Sequence, residues 1–129
     1  MKRAFRPLFL FACALLLALV LAPLPAAASD PVPQVPAPGR VTLVDLGAQS
    51  CIPCKMMAPI LKELEQEYRD RAAVVVIDVW VHDDQVDRFN LRAIPTQIVY
   101  DRTGKEVFRH EGFLSKENLR KILDPLLER

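Results

Sequence analysis

The sequence predicts an α/β fold in the order β-α-β-α-β-β-α, with helices flanking a four-stranded mixed sheet. Two apolar runs rich in β-branched residues, VTLVDLG at 41–47 and AAVVVIDVWV at 72–81, are separated by a helical pattern. A strand, a crossover helix and another near-continuous apolar strand are typical of a parallel βαβ unit that is buried on both faces. Two further strand patterns, at 96–101 and 105–111, are joined by DRTG and predict a hairpin.

The helices follow from apolar spacing and from capping residues. After SCIPCK, at 50–55, apolar side chains recur every three or four residues over 56–68, and Pro59 is expected to kink this helix because it lacks an N–H donor. A short helix is predicted at 83–89. Ser115 is expected to cap a last helix. The apolar face of that helix comprises Leu119, Ile122, Leu123, Leu126 and Leu127.

The first 28 residues have the pattern of a secretory signal peptide. Basic residues precede an uncharged apolar run at 8–22, and three alanines ending at Ala28 offer a small-residue cleavage site. The run is shorter than the ~20 residues of a membrane-spanning helix. We therefore expect cleavage and export, to the periplasm in a Gram-negative organism, with an uncleaved membrane anchor as the minority alternative. Residues 29–40 contain four prolines and are predicted to be an extended linker without packed structure.

Residues 41–129 then form one small domain with one core. The whole chain has a formal net charge of +1 and no basic stripe, which argues against nucleic-acid binding. Of its three cysteines, Cys13 lies in the apolar run and is expected to be removed. Cys51 and Cys54 remain, and an exported protein meets an oxidising compartment in which such a pair can form a disulfide.

Four roles are open to this C-x-x-C pair. A zinc site usually has four ligands, and the other candidates of the usual soft type, His82 and His110, are distant in sequence. A c-type haem site needs histidine after the second cysteine, where this chain has Lys55. A static disulfide over so short a loop removes little unfolded-chain entropy. A dithiol that cycles is the role for which each residue has a physical reason.

That reason begins with the position of the pair between a buried strand and a helix. The amides and the dipole at a helix start favour an anion. Cys51 comes first, so its sulfur is expected to be the more exposed and the more readily ionised. Pro53 suits the first helical turn, and Cys54, one turn further in, can attack the sulfur of Cys51.

Asp45 is a second candidate for chemistry. It shares a strand face with Val41 and Leu43 and is therefore a carboxyl in an apolar layer, which is costly unless the group is neutral, hydrogen-bonded or useful. From the strand position alone, a structural aspartate with a hydrogen-bonding partner and a catalytic aspartate are equally good interpretations. Its position six residues before Cys51 favours a proton acceptor for Cys54.

With these motifs, the chain resembles the thioredoxin family over about residues 41–127. LVDLGAQSCIPCKMMAPIL is similar to that family's strand, dithiol and proline-kinked helix. AIPT is similar to its loop with a cis-proline facing the dithiol, here Pro95. YDRTGKEVFRHEGFLSKENLRKIL is similar to its hairpin, glycine position and final helix. Several motifs in the right order are more specific than C-x-x-C alone.

The resemblance implies an exported thiol–disulfide oxidoreductase that reduces or exchanges protein disulfides. It implies that Cys51 is the nucleophile, that Cys54 is the resolving thiol in a redox-active Cys51–Cys54 disulfide, and that Asp45 is the buried proton acceptor. The implied substrate groove is formed by Ile94, Pro95 and Thr96. The implied active-site loop contributes Ser50, Ile52, Pro53 and Lys55.

The chain departs from the family pattern near the dithiol. Ser50 stands where the family usually has tryptophan, and Ile52 where it has glycine. The position at which the family usually has a lysine partner for the buried aspartate corresponds to about Val76 of this chain. Without that cation, only desolvation is expected to act on the pKa of Asp45, which becomes easier to protonate. The family's first strand and helix are missing ahead of residue 41, so the predicted core is trimmed.

The expected partners follow from the implied reaction. They are disulfide-containing exported proteins and an electron-donating reductase, for which a membrane protein is one candidate; the chain itself is expected to be a monomer. Neither an organic cofactor nor a metal is expected. The alternatives are an oxidant that donates its disulfide, a reductant for cytochrome c maturation, a non-catalytic binding or redox-sensing module, and a metal carrier.

Overall fold

Seven elements follow one another in the predicted order β-α-β-α-β-β-α. The structure is a computed structural model that describes residues 30–128, so the predicted signal peptide lies outside the described residues. The strands are β1 (Val41–Gly47), β2 (Ala72–Asp78), β3 (Thr96–Tyr100) and β4 (Glu106–Glu111). The helices are α1 (Ile52–Glu67), α2 (Asp84–Arg88) and α3 (Lys116–Leu127).

The four strands form one mixed sheet in the order β2-β1-β3-β4. β1 runs parallel to β2 and antiparallel to β3, and β3 pairs with β4 in the predicted hairpin. β1 is central, and all seven of its residues are buried. In this register Asp45 lies opposite Val76 of β2 and opposite Gln97 of β3. Paired residues point to the same face of a sheet, so these three side chains are neighbours.

Helices cover the sheet from two sides, as predicted. The face that carries Asp45 packs against α1 and α3, and its buried core comprises Val41, Leu43, Met57, Leu61, Leu64, Tyr68, Ala72, Val99, Leu114, Leu119 and Leu123. The buried core on the opposite face comprises Val35, Val44, Leu46, Val75, Ile77, Val79, Phe89 and Ile98. β1 is therefore covered on both faces, as its apolar sequence indicated.

The proline-rich segment ahead of β1 is not the unpacked linker that its composition predicted. It contains no helix or strand, but Val35 is only 4% exposed and packs with the second core. Arg88 Nη2 donates to the carbonyl oxygen of Val35 at 2.7 Å, and the amide of Ala37 donates to Oγ1 of Thr42 at 3.0 Å. The short helix α2 leaves part of this face of the sheet open, and the segment supplies the missing apolar cover.

β2 ends earlier than its apolar run predicted, at Asp78 rather than residue 81. The carboxylate of Asp78 accepts from the amide of Trp80 at 2.9 Å and from that of Gln49 at 3.1 Å. These bonds turn the chain out of the ladder and join the ends of β1 and β2. Trp80 is 64% exposed as a result.

The predicted cap of the last helix is present, since Ser115 Oγ accepts from the amide of Asn118 at 3.3 Å. Both long helices contain a proline, Pro59 in α1 and Pro125 in α3, and each helix continues beyond it. Within residues 30–128, none of the helices has the length and apolar character needed to cross a membrane.

Candidate active site

The dithiol lies at the junction of β1 and α1. Cys51 is the N-cap residue of α1, with an extended backbone, and its Sγ accepts from the amide of Cys54 at 3.3 Å. Pro53 occupies the first turn, as predicted, because the missing N–H leaves no helical hydrogen bond unmade there. Cys51 and Cys54 form a disulfide, with their Cα atoms 5.2 Å apart.

The two sulfurs differ in accessibility. Cys54 is 8% exposed, whereas Cys51 is half-buried and is followed by Ile52, which is 74% exposed. A partner approaching the helix start therefore meets Cys51 first. This agrees with the predicted difference in burial, which follows from the capping position of one residue and the inward direction of the other.

Gly47, the last residue of β1, allows Cys54 to approach the strand closely. A Cβ atom at Gly47 would lie 3.2 Å from both Cβ and Sγ of Cys54 and 3.5 Å from Oδ2 of Asp45. Side chains are rarely packed that tightly, so the absence of a side chain creates the space. The sulfur of Cys54 and the carboxyl of Asp45 therefore border the same small region.

Asp45 is buried beside the dithiol, with 2% of its surface exposed. Burial raises the pKa of this carboxyl from its ordinary value of 3.8 to about 6, and a hydrogen bond from Gln97 opposes that rise. Nε2 of Gln97 donates to Oδ1 of Asp45 at 2.8 Å. The predicted rise in the pKa of Asp45 is confirmed. The expectation that desolvation alone acts on this pKa is wrong, because Gln97 also acts on it.

Sequence reasoning missed Gln97, although a signal was present. TQIVY alternates between the two faces of β3, and Gln97 shares a face with Val99, on which an apolar residue is the norm. A polar side chain at such a position needs a buried partner. The partner is 52 residues away in sequence, and only the pairing of β1 with β3 identifies it.

A cleft with a volume of about 350 Å³ opens along the β2 side of this region. Asp45, Cys54 and Val76 line it, together with Lys55 and Asp78 from its rim. Val76 is 57% exposed and occupies the position opposite Asp45, as the sequence comparison with the family pattern predicted. Asp45 therefore borders this cleft on its β2 side, although almost none of its surface is exposed.

The predicted groove residues lie at the same edge of the sheet as the dithiol. Thr96 begins β3 opposite Leu46, which comes near the end of β1. The Ile94–Pro95 peptide bond is cis, as is the bond before Pro36. The carbonyl oxygen of Pro95 accepts from the amide of Gly112 at 2.7 Å, which joins this loop to the end of β4. Among residues 30–128, no group of three or more His, Cys, Asp or Glu side chains could hold a metal ion.

Comparison with known proteins adds relatives to this geometry. The thioredoxin family model matches residues 32–125 of the chain. The thioredoxin of Staphylococcus aureus is 40% identical over 84 residues, which cover 65% of this chain and 80% of that protein. The thioredoxin of Staphylococcus haemolyticus is 42% identical over 84 residues, with the same coverage.

A solved structure shares the architecture. It is the germline-specific thioredoxin Deadhead of Drosophila melanogaster, which superposes with a TM-score of 0.61 at 26% sequence identity. The superposition covers 68% of this chain and 82% of the Deadhead chain. The family match begins within the proline-rich segment, which agrees with the packing of Val35 in the core.

Proposed function

The chain belongs to the thioredoxin family and is a thiol–disulfide oxidoreductase, and from this premise we propose that it reduces or exchanges disulfides of exported proteins outside the cytoplasm. The observation that carries the proposed mechanism is the unequal burial of Cys51 and Cys54 at the start of α1. Export is supported by the signal-like pattern of residues 1–28.

In the first step, the thiolate of Cys51 attacks one sulfur of a substrate disulfide. An S–S bond forms between Cys51 and the substrate, the substrate S–S bond breaks, and the electron pair leaves on the second substrate sulfur. The amide of Cys54, which donates to Sγ of Cys51, and the helix start favour the thiolate electrostatically. The exposed Ile52 offers an apolar contact to the incoming chain.

In the second step, the thiol of Cys54 loses its proton to Asp45 and attacks the sulfur of Cys51. The Cys51–Cys54 disulfide forms, and the bond to the substrate breaks with its electron pair on the substrate sulfur, which is then protonated. The buried position of Asp45 beside Cys54 supports this role, since its raised pKa suits a proton acceptor near neutral pH. Asp45 then loses the proton to water in the cleft along Val76.

The groove proposed for the substrate is formed by Ile94, Pro95 and Thr96. Backbone groups of the loop at the start of β3 can align an extended substrate segment beside the dithiol, since this loop and the helix start share one edge of the sheet. The reduced form is restored by a dithiol partner that donates two electrons. A membrane-bound reductase is our candidate for that donor.

Replacement of Cys54 by serine tests the assignment of nucleophile and resolving thiol. Cys51 of this variant can still form the mixed disulfide, but the internal thiol that releases the substrate is missing. Expressed with its own N-terminus, Cys54→Ser should accumulate higher-mass adducts on a non-reducing gel, which reductant removes. The matched control, Cys51→Ser, should form far fewer, because its remaining sulfur is buried.

Two outcomes would overturn parts of the proposal. More adducts with Cys51→Ser than with Cys54→Ser would exchange the two roles. The absence of adducts in both folded variants, together with no turnover of a disulfide substrate by a catalytic amount of the native protein, would support a binding module instead. Cell fractionation and N-terminal sequencing test export separately, with a mature chain that begins at Ser29 as the expected result.

A further inference from the structure

Gln97 is a buried amide in which one of the two polar side-chain atoms has no hydrogen-bond partner among the described residues. Its side chain is fully buried, at 0% exposure, in a strand that is otherwise largely apolar. Nε2 donates to Asp45, whereas Oε1 has no hydrogen-bond partner in the part of the chain that the structure describes. An amide left in this state is less favourable in a core than an apolar side chain of the same size. Stability alone therefore does not explain this residue.

The hydrogen bond distinguishes the two oxygens of Asp45. Gln97 holds Oδ1 from the β3 side. Oδ2 lies on the side of Gly47, 3.5 Å from the point at which a Cβ atom of that residue would stand, and the same point is 3.2 Å from Sγ of Cys54. The oxygen that Gln97 leaves available is thus the one on the side of the thiol.

We propose that Gln97 is a positioning residue that orients Asp45, so that Oδ2 receives the proton of Cys54 during release of the substrate. This inference rests on the proposed role of Asp45 as the proton acceptor. The step itself is unchanged: the Cys54 S–H bond breaks, the proton moves to Oδ2, and the sulfur retains the electron pair with which it attacks Cys51.

The chemistry of an amide suits this position. The cation that the family pattern places opposite the aspartate is replaced by Val76, and Gln97 approaches Asp45 from the other neighbouring strand. A neutral donor orients the carboxylate without adding a full opposite charge, so Asp45 stays basic enough to accept a proton. The other charged or titratable side chains on this cleft are Lys55 and Cys54 from α1 and Asp78 from the end of β2.

The test compares Gln97→Leu with native protein and with Gln85→Leu as a matched control. Gln85 is a second buried glutamine, in α2, and its side chain bonds Asp84 and Arg88 instead. The carboxyl of Asp45 is titrated by ¹³C NMR in the oxidised protein, in which the cysteines do not titrate. Loss of a hydrogen bond to a charged group should move the Asp45 midpoint upward by about one pH unit in Gln97→Leu. Gln85→Leu should leave it unchanged.

The kinetic measurement uses the reduced proteins and an aromatic disulfide that releases a coloured thiolate. The first release depends on reagent concentration, while the second, concentration-independent release reports attack by Cys54. The rate of this second release should fall at acidic pH as Asp45 becomes protonated. In Gln97→Leu that fall should occur at higher pH, by the same amount as the shift of the NMR midpoint. If this variant does not fold, Gln97→Met retains the length of the side chain and serves for both measurements.

The outcomes separate this inference from the proposed function. An unchanged Asp45 titration and an unchanged pH profile in the Gln97 variants would overturn the positioning role. If Asp45→Asn instead resolves the mixed disulfide at the native rate, the proton-acceptor role of Asp45 is refuted. The hydrogen bond between Gln97 and Asp45 would then have no part in catalysis. Slower attack by Cys54 in Asp45→Asn, together with a shifted Asp45 titration and a shifted pH profile in the Gln97 variants, supports both the proton-acceptor role and the positioning role.

Discussion

Replacement of Asp45 by asparagine is expected to stabilise the oxidised protein at neutral pH while slowing its chemistry. The carboxyl is 2% exposed, and burial raises its pKa from 3.8 to about 6. The folded state therefore binds this proton more tightly than the unfolded chain does. The stability that it contributes is fully present below about pH 4 and is lost as the pH rises through about 6.

The size of the effect follows from the shift. The difference between 3.8 and about 6 corresponds to about 3 kcal/mol once Asp45 is ionised in both states. Asparagine has nearly the same shape, can accept the bond from Gln97 and carries no charge to desolvate. The advantage of Asp45→Asn over the native protein should therefore grow by about 2–3 kcal/mol between about pH 4 and pH 7.

Urea unfolding of the oxidised proteins at several pH values measures this difference. Small domains of this size usually unfold in one cooperative transition, which allows the free energies of unfolding to be compared. Carboxylates with lowered pKa values, such as Glu67 and Glu106, contribute stability that is lost on acidification. Their contribution is common to both proteins and cancels in the difference. Asp70→Asn makes the same chemical change at an exposed position and provides the matched control.

The same variant should release substrate more slowly. General-base catalysis is typically worth ~10²–10⁴-fold, and because water can enter the cleft beside Asp45 we expect a loss of about 10²-fold in attack by Cys54. If the difference in free energy of unfolding between Asp45→Asn and the native protein does not vary with pH, Asp45 is not a buried carboxyl that is hard to ionise. Unchanged release kinetics with the expected stability gain would refute the proton-acceptor role of Asp45, although its carboxyl would still be a buried group that is hard to ionise.

Two further substitutions test other parts of the structure. Val76→Lys places an ammonium opposite Asp45 and should lower the pKa of that carboxyl; because Val76 is 57% exposed, the effect is screened to about one unit. It would appear as a shift of the acid limb of the release rate to lower pH, and an unmoved limb would mean that the lysine points away from Asp45. Val35→Ala should reduce the free energy of unfolding by about 2 kcal/mol in urea, since Val35 is 4% exposed in the second core. Native stability in that variant would restore the interpretation of the proline-rich segment as a tether.

The sequence by itself determined the order of the elements and the position of the dithiol. These features depend on signals within a few residues of one another. Apolar runs and helical spacing define β1, α1 and β2, and they also place Cys51 at the start of α1. The cap by Ser115 follows from its position just ahead of the last helix. The burial of Asp45 was also predictable, because a strand covered on both faces leaves no solvent for its side chain.

Tertiary structure alone decided which side chain is hydrogen-bonded to Asp45. Its partner Gln97 is 52 residues away, and the two meet only because the register between β1 and β3 places them opposite each other. Composition likewise misjudged the proline-rich segment ahead of β1, because its prolines indicate an extended chain but not the surface on which the described part of that chain packs. Val35 is buried because the short α2 leaves apolar sheet uncovered. Periodicity reports which face of an element is apolar, whereas the contacts across that face depend on pairing between distant segments.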